Sequence, residues 1–385
     1  MFAERTNWNL SPNPLAEALA RHRASGRTLV DLSASNPTEC GFDYDRRAIL
    51  GSLQQPGVLE YHPDPRGLES ARQSVREYYA ARGDDVAVDS IILTTSTSEA
   101  YSFVFRLLCN PGDELLIPAP SYPLFDFLAD IEDVKLVRYA LFYDHGWHID
   151  VHALEQAIRS PTKGVIVVHP NNPTGHFTKD RERERLNQIC AAHRLAIVAD
   201  EVFLDFSLSS ARPLTFSVNH DALTFTMSGL SKISGLPQMK LAWLIVSGPE
   251  KERREALDRL EVIADTYLSL NAPVELAAKG LLAQRHGFQK QLMTRVRQNL
   301  AELDQQLATN KSCARLEVEA GWYAVLRVPA TRPDQELAIE LLERDGVYLH
   351  PGHFYGFPLE GYLVVSLIAP PAIFALGIRH TLARL

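Results

Sequence analysis

Between residues 45 and 271 the chain repeats one pattern: a short apolar run, a polar turn, then a stretch with helical periodicity. Short apolar runs that alternate with helices read as strands of a mostly parallel sheet covered by those helices. The runs at 91–94, 115–118, 134–139, 164–169, 195–199, 223–227 and 241–246 fit this role. Residues 68–82 carry an amphipathic helical pattern that Gly83 closes. From 277 to 307 the pattern is long, charged and helical, and can bridge two domains. Beyond it, the apolar runs 323–328 and 362–368 have helices between and after them, the texture of a smaller α+β unit. The expected fold class is therefore α/β: a large domain with a mostly parallel helix-flanked sheet, plus a smaller α+β domain.

At 385 residues, two domains are the expectation. A net charge of −8 disfavours nucleic acid as a partner, because phosphate binding needs a basic surface. Cys40, Cys109, Cys190 and Cys313 lie far apart without metal-ligand spacing, which predicts reduced thiols, a cytoplasmic location and no metal. Met1-Phe2-Ala3-Glu4-Arg5 opens no apolar run, so no secretory signal is expected. The most apolar stretch, 362–378, is split by Pro370-Pro371 and reads as a buried strand followed by a helix, not as a membrane span.

Two residues point to chemistry. Lys232 sits among small residues in Ser228-Gly229-Leu230-Ser231-Lys232-Ile233-Ser234-Gly235, just after an apolar run. A lysine held rigidly and kept from water has a lowered pKa and forms a Schiff base with an aldehyde. Asp200 ends the run 195–199 and can pair with a protonated pyridine nitrogen. A lysine amine together with an acid suited to a ring nitrogen suggests pyridoxal 5'-phosphate.

Other turns agree in order along the chain. Thr95-Ser96-Thr97-Ser98-Glu99 follows an apolar run and opens an apolar helix, so its amides and hydroxyls suit a phosphate. The Ser96 to Glu99 spacing also fits a helix cap, and both readings can hold for one turn. Tyr122, between Pro120 and Pro123, is a rigid aromatic plate. Asn172 before Pro173 is held extended, with its amide free to meet a ring oxygen.

Taken together, residues 32–370 resemble the class I/II aminotransferases of pyridoxal-phosphate fold type I, with the texture of the aspartate/alanine branch. The resemblance implies a homodimeric enzyme moving an amino group between an L-amino acid and a 2-oxo acid, with an alanine- or aspartate-like donor. It implies that Lys232 is the catalytic lysine, with Asp200 at the ring nitrogen, Asn172 at the ring oxygen and Tyr122 stacked on the ring. Ser96, Thr97, Ser98, Ser231 and Lys240 fall at the phosphate, Lys240 where an arginine is usual. Tyr61 falls where relatives reach across a dimer interface, and Asn36 in the N-terminal substrate loop. The implied division is a large domain at 45–276 and a discontinuous small domain at 1–44 with 277–385.

Three positions depart from the pattern. Gly229 replaces a frequent phosphate-binding serine, leaving Ser228 or Ser231 to compensate. Phe203 stands where a tyrosine shares the ring oxygen with the asparagine, which predicts a shifted pH optimum. Val364 stands where an arginine normally clamps the substrate's α-carboxylate. The substitute donors in view are Arg5, Arg327, His350 and His353, with Arg327 and His353 ranked first. Because the arginine is missing, a lyase or decarboxylase on the same cofactor fold stands as the alternative. A ligand-sensing protein with an aminotransferase-like domain is the alternative from another class.

Overall fold

The computed structural model describes residues 1–210 and 212–385. Strand β1 (Val30–Asp31) comes first and pairs with a late strand of the chain. The next eight strands build the large sheet: β2 (Ile91–Thr94), β3 (Glu114–Ala119), β4 (Lys135–Tyr143), β5 (Trp147–Ile149), β6 (Thr162–Val168), β7 (Ala196–Asp200), β8 (Thr224–Gly229) and β9 (Ala242–Ser247). Its order is β2-β9-β8-β7-β6-β3-β4-β5. Strands β8, β7, β6, β3 and β4 run parallel, while β9 runs antiparallel to both its neighbours and β5 antiparallel to β4. All seven expected runs are strands here, with ends shifted by at most four residues. The extra strand β5 escaped sequence reading because three residues are too few to show a period.

The central strands are buried on both faces, as parallel strands between helix layers must be. Alternate residues enter different cores: Val165 and Val167 face one apolar cluster, Ile166 and Val168 the other. The second cluster is closed by helices Thr97–Leu108 and Glu250–Tyr267.

The remaining strands are β10 (Ala314–Arg315), β11 (Tyr323–Arg327), β12 (Val347–Tyr348), β13 (His350–Pro351) and β14 (Tyr362–Ser366). They form a four-stranded sheet ordered β10-β11-β14-β13 and the parallel pair β1-β12. The first apolar cluster continues from the large sheet into this smaller one through Phe203, Phe288, Trp322, Tyr323 and Val365. The long charged pattern is two helices, Ala278–Ala283 and Arg285–Leu307, interrupted at Gln284. No helix among the described residues is long and apolar enough to cross a membrane.

Candidate active site

In an open parallel sheet the loops at the carboxyl ends of the strands meet in one crevice. Here a cavity of about 330 Å³ lies at that edge. Ser96, Thr97 and Ser98 follow β2, Tyr122 follows β3, Asn172 follows β6, Asp200 ends β7, Gly229 ends β8, and Ser231 and Lys232 follow it; all line the cavity. The opposite wall comes from the N-terminal segment and the small sheet, with Ser33, Ser35, Tyr323, His350, Phe354 and Tyr355.

Lys232 lies on a single helical turn, Leu230–Ile233, directly after β8. The turn is pinned on its far side. Gly235 has φ +65°, and a Cβ there would stand 2.4 Å from the Phe288 ring, so only glycine fits. The Tyr44 hydroxyl donates to the Gly235 carbonyl at 2.9 Å, and Gln289 donates to the Ile233 carbonyl at 3.0 Å. Lys232 Nζ lies 4.8 Å from the Trp322 ring centre and 5.5 Å from that of Phe203. It forms no ion pair among the described residues. Burial pushes the amine down to about 8, against the pull of the Asp200 carboxylate.

Asp200 is 8% exposed. Its Oδ1 accepts from the Val202 amide and its Oδ2 from the Tyr101 hydroxyl, both at 3.1 Å. Burial raises its carboxyl to about 6, while these two hydrogen bonds and Lys232 oppose the rise. Tyr101 was not singled out in the sequence. It rides on the helix that begins at the Ser96 turn, so one helix serves both ends of the cavity. The signal was a lone tyrosine in an apolar helix, which could equally have been ordinary core.

At the other end Ser96 caps that helix by accepting from the Glu99 amide at 3.2 Å. Glu99 in turn accepts from the Thr95 amide at 2.7 Å. The cap occupies Ser96 and Glu99, whereas the hydroxyls of Thr97, Ser98 and Ser231 have no protein partner among the described residues. They stand with the first amides of a 12-residue helix, an arrangement suited to a phosphate. Gly229 has a steric reason: a Cβ there would lie 2.8 Å from that of Ala242, so no serine fits. Ser228 is buried, donates to the Glu201 carbonyl at 3.4 Å and stays off the cavity, leaving Ser231 as the hydroxyl that lines it.

Asn172 Oδ1 is buried without a partner among the described residues, an expense that a bound hydrogen-bond donor would relieve. Tyr122 is 44% exposed, its ring edge-on to Phe125. Thus an amine, an acid, free hydroxyls at a helix start, an unsatisfied amide and an aromatic plate share one crevice. This donor set fits pyridoxal 5'-phosphate at each functional end.

Other expected residues fall elsewhere. Lys240 is exposed with φ +52° and does not line the cavity. Tyr61 is 79% exposed and borders a separate shallow recess. Asn36 caps the turn Pro37–Glu39 by accepting from Thr38. Arg5 pairs with Asp133 at 2.6 Å.

The two donors ranked first for the carboxylate are displaced from it. Arg327 is exposed at the far end of β11, its guanidinium over the Tyr143 ring, four residues along the strand from cavity-lining Tyr323. His353 is exposed on the turn Gly352–Tyr355, while His350 lines the cavity. Val364 is 1% exposed, and Phe203 packs edge-on against Trp322. Among the described residues lining the cavity, Lys232 is the only lysine or arginine.

The sequence profile described as aminotransferase class I and II matches residues 27–370. The glutamate-pyruvate aminotransferase AlaA of Escherichia coli strain K12 is 29% identical over 271 residues, covering 70% of this chain and 67% of that one. An alanine aminotransferase of Mycobacterium tuberculosis strain H37Rv is 25% identical over 367 residues, covering 91% and 84%. Among solved structures, the alanine aminotransferase from Pyrococcus furiosus superposes with a TM-score of 0.88 at 21% identity, over 99% of this chain and 98% of that one. With nearly the whole length matched, the chain belongs to the class I and II aminotransferases.

Proposed function

We propose that this enzyme moves an amino group between an L-amino acid and a 2-oxo acid, using pyridoxal 5'-phosphate held at Lys232. The observation that carries this reading is the pairing of Lys232 and Asp200 in one cavity, with the amine pushed down to about 8 and the carboxyl up to about 6. Alanine- or aspartate-like donors come first, because relatives named for glutamate-pyruvate and alanine transamination match this chain.

When bound, the cofactor supplies an electron sink for the carbon that carries the amine. The rest is the protein's work. Lys232 Nζ would anchor the cofactor; once the substrate's amine displaces it, the freed amine would take the proton from the substrate's α-carbon and give it back in the second half of the proton shift. An amine with a pKa near 8 holds enough of its neutral form at physiological pH to act as a base. Asp200 holds the ring-nitrogen proton in place, and the Tyr101 hydroxyl and Val202 amide fix its carboxylate for that task. Thr97, Ser98, Ser231 and the helix start would hold the phosphate, Asn172 would donate from Nδ2 to the ring oxygen, and Tyr122 would supply the aromatic plate for the ring. Phe203 and Trp322 keep water from Lys232.

The same reading takes residues 45–276 as the large cofactor-binding domain and 1–44 with 277–385 as the small one. It takes the enzyme as a cytoplasmic homodimer, supported by four cysteines outside any disulfide and by the exposed pair Leu59 and Tyr61 beside a recess. In such a dimer Tyr61 reaches the partner's phosphate site.

Single-turnover incubation of the holoenzyme with individual L-amino acids tests the proposal. Loss of the bound cofactor's visible absorbance with one equivalent of 2-oxo acid is the expected result. Release of ammonia or CO₂ instead would establish the lyase or decarboxylase alternative, and binding without turnover the ligand-sensing one.

A further inference from the structure

The large-domain side of the cavity is occupied by groups suited to the cofactor, so substrate recognition falls to the opposite wall. Among the described residues that wall contains no lysine or arginine. Its polar groups are Ser33, Ser35, Tyr323, His350 and Tyr355.

Strand register places one of them at an informative point. In the antiparallel pair β13–β14, His350 is directly opposite Val364. Directly opposed residues project from the same face of a sheet, with Cβ atoms about 4.5–5.5 Å apart. The imidazole therefore stands beside the position from which an arginine side chain was expected. Unlike Val364, it reaches the cavity.

His350 Nδ1 lies 3.0 Å from the Tyr355 hydroxyl. A neutral histidine carries one N–H and a tyrosine one O–H. The bond between them uses one of these protons whichever way it points. The other remains, on Nε2 if the tyrosine donates or on the tyrosine oxygen if Nδ1–H donates. No protein acceptor among the described residues takes it. His350 and Tyr355 both line the cavity and the couple's free proton is open to it, so an incoming carboxylate oxygen can accept there.

The couple is also held rigid. The His350 ring is 5.8 Å from Tyr348, 5.7 Å from Phe354 and 6.0 Å from Tyr355. The Tyr355 carbonyl accepts from the Ser121 amide at 2.8 Å, which ties the turn to the loop carrying Tyr122. Burial favours the neutral imidazole, with the Asp31 carboxylate opposing.

We infer that the His350–Tyr355 couple is the carboxylate-recognition element of this enzyme, receiving the substrate's α-carboxylate beside Val364; this rests on the amino-acid reading above. A neutral donor replaces the usual bidentate cation. Neutral hydrogen bonds to a carboxylate are weaker than paired charges, so discrimination between an amino acid and an uncharged analogue is smaller than an arginine would give.

The test compares each amino acid with its decarboxylated amine, L-alanine with ethylamine and L-tyrosine with tyramine, in the half-reaction of the holoenzyme. His350→Phe keeps a planar ring without a donor, and should lower the amino acid to amine ratio of kcat/KM roughly ten- to a hundredfold. Tyr355→Phe should lower it less, and His350→Gln, which restores an N–H, should recover most of it. A ratio unchanged in both His350→Phe and Tyr355→Phe overturns the inference and leaves the proposed function standing. If wild type reacts with no amino acid, the proposed function fails, and calorimetry decides the inference separately. There the holoenzyme should bind 3-phenylpropanoate more tightly than 3-phenylpropan-1-ol, and His350→Phe or His350→Gln should change that preference in the order above. Equal binding of acid and alcohol by wild type would overturn it.

Discussion

Keeping a lysine in an apolar slot should cost the apoprotein stability, and the cost can be worked out. The Lys232 amine falls from 10.5 to about 8, mainly through burial. At about 1.4 kcal/mol per unit, that shift corresponds to roughly 3 kcal/mol of disfavoured ammonium. The sign follows from proton counting. Between about pH 8 and 10.5 the unfolded chain holds a proton that the folded site has released, so stability rises with pH across that window. Below about 8 the full cost is present, and above 10.5 it is gone. Lys232→Met removes the charge and keeps a flexible apolar chain against Trp322 and Phe203. Part of the gain is lost because Asp200 loses a favourable neighbour, the least of the four influences on it. A net stabilisation of about 2 kcal/mol at pH 7 is expected, or roughly 2–3 °C in Tm for a chain of this size. Calorimetry of wild-type and Lys232→Met apoprotein at pH 7 and pH 10.5 measures it. The variant should melt higher at pH 7, with the gap closing at pH 10.5. A variant melting lower at pH 7, or a gap indifferent to pH, would refute the view of Lys232 as a desolvated amine.

Three more outcomes follow from the site. Borohydride reduction of the holoenzyme and peptide mapping should place the cofactor on Lys232, and Lys232→Ala should lose both label and turnover; a label on exposed Lys240 would sink the assignment. Asp200→Asn should keep the fold but slow the half-reaction by orders of magnitude, since an amide holds no charge against a ring nitrogen, and near-normal rates would remove Asp200 from that role. Phe203→Tyr restores a hydroxyl near the ring oxygen and should move the acid limb of the pH–rate profile to lower pH; an unmoved limb would mean that the hydroxyl does not reach the oxygen.

Much of this protein was legible along the chain because its physics is local there. Apolar runs between helices announce buried strands of a mostly parallel sheet, and all seven such runs are strands of the large sheet. Glycine at 83 ends its helix with φ +82°, and Ser96 caps its own, because each needs only its own few residues. Lys232 and Asp200 could be picked out because each lies at or just past the carboxyl end of a strand, and those ends converge in a parallel sheet. What neighbours in sequence do not fix, only the tertiary structure decided. The wall facing Lys232 depends on how β13 registers against β14, and His350, not His353 or Arg327, is the donor candidate that reaches the cavity. Tyr101 becomes the partner of Asp200 only when a helix folds over a strand ninety-nine residues away in sequence. The glycine at 229 is explained by the approach of Ala242 across an antiparallel pair. Contacts made across the chain set distances that no period or spacing encodes, which is why the residues at strand ends could be read early and the facing wall could not.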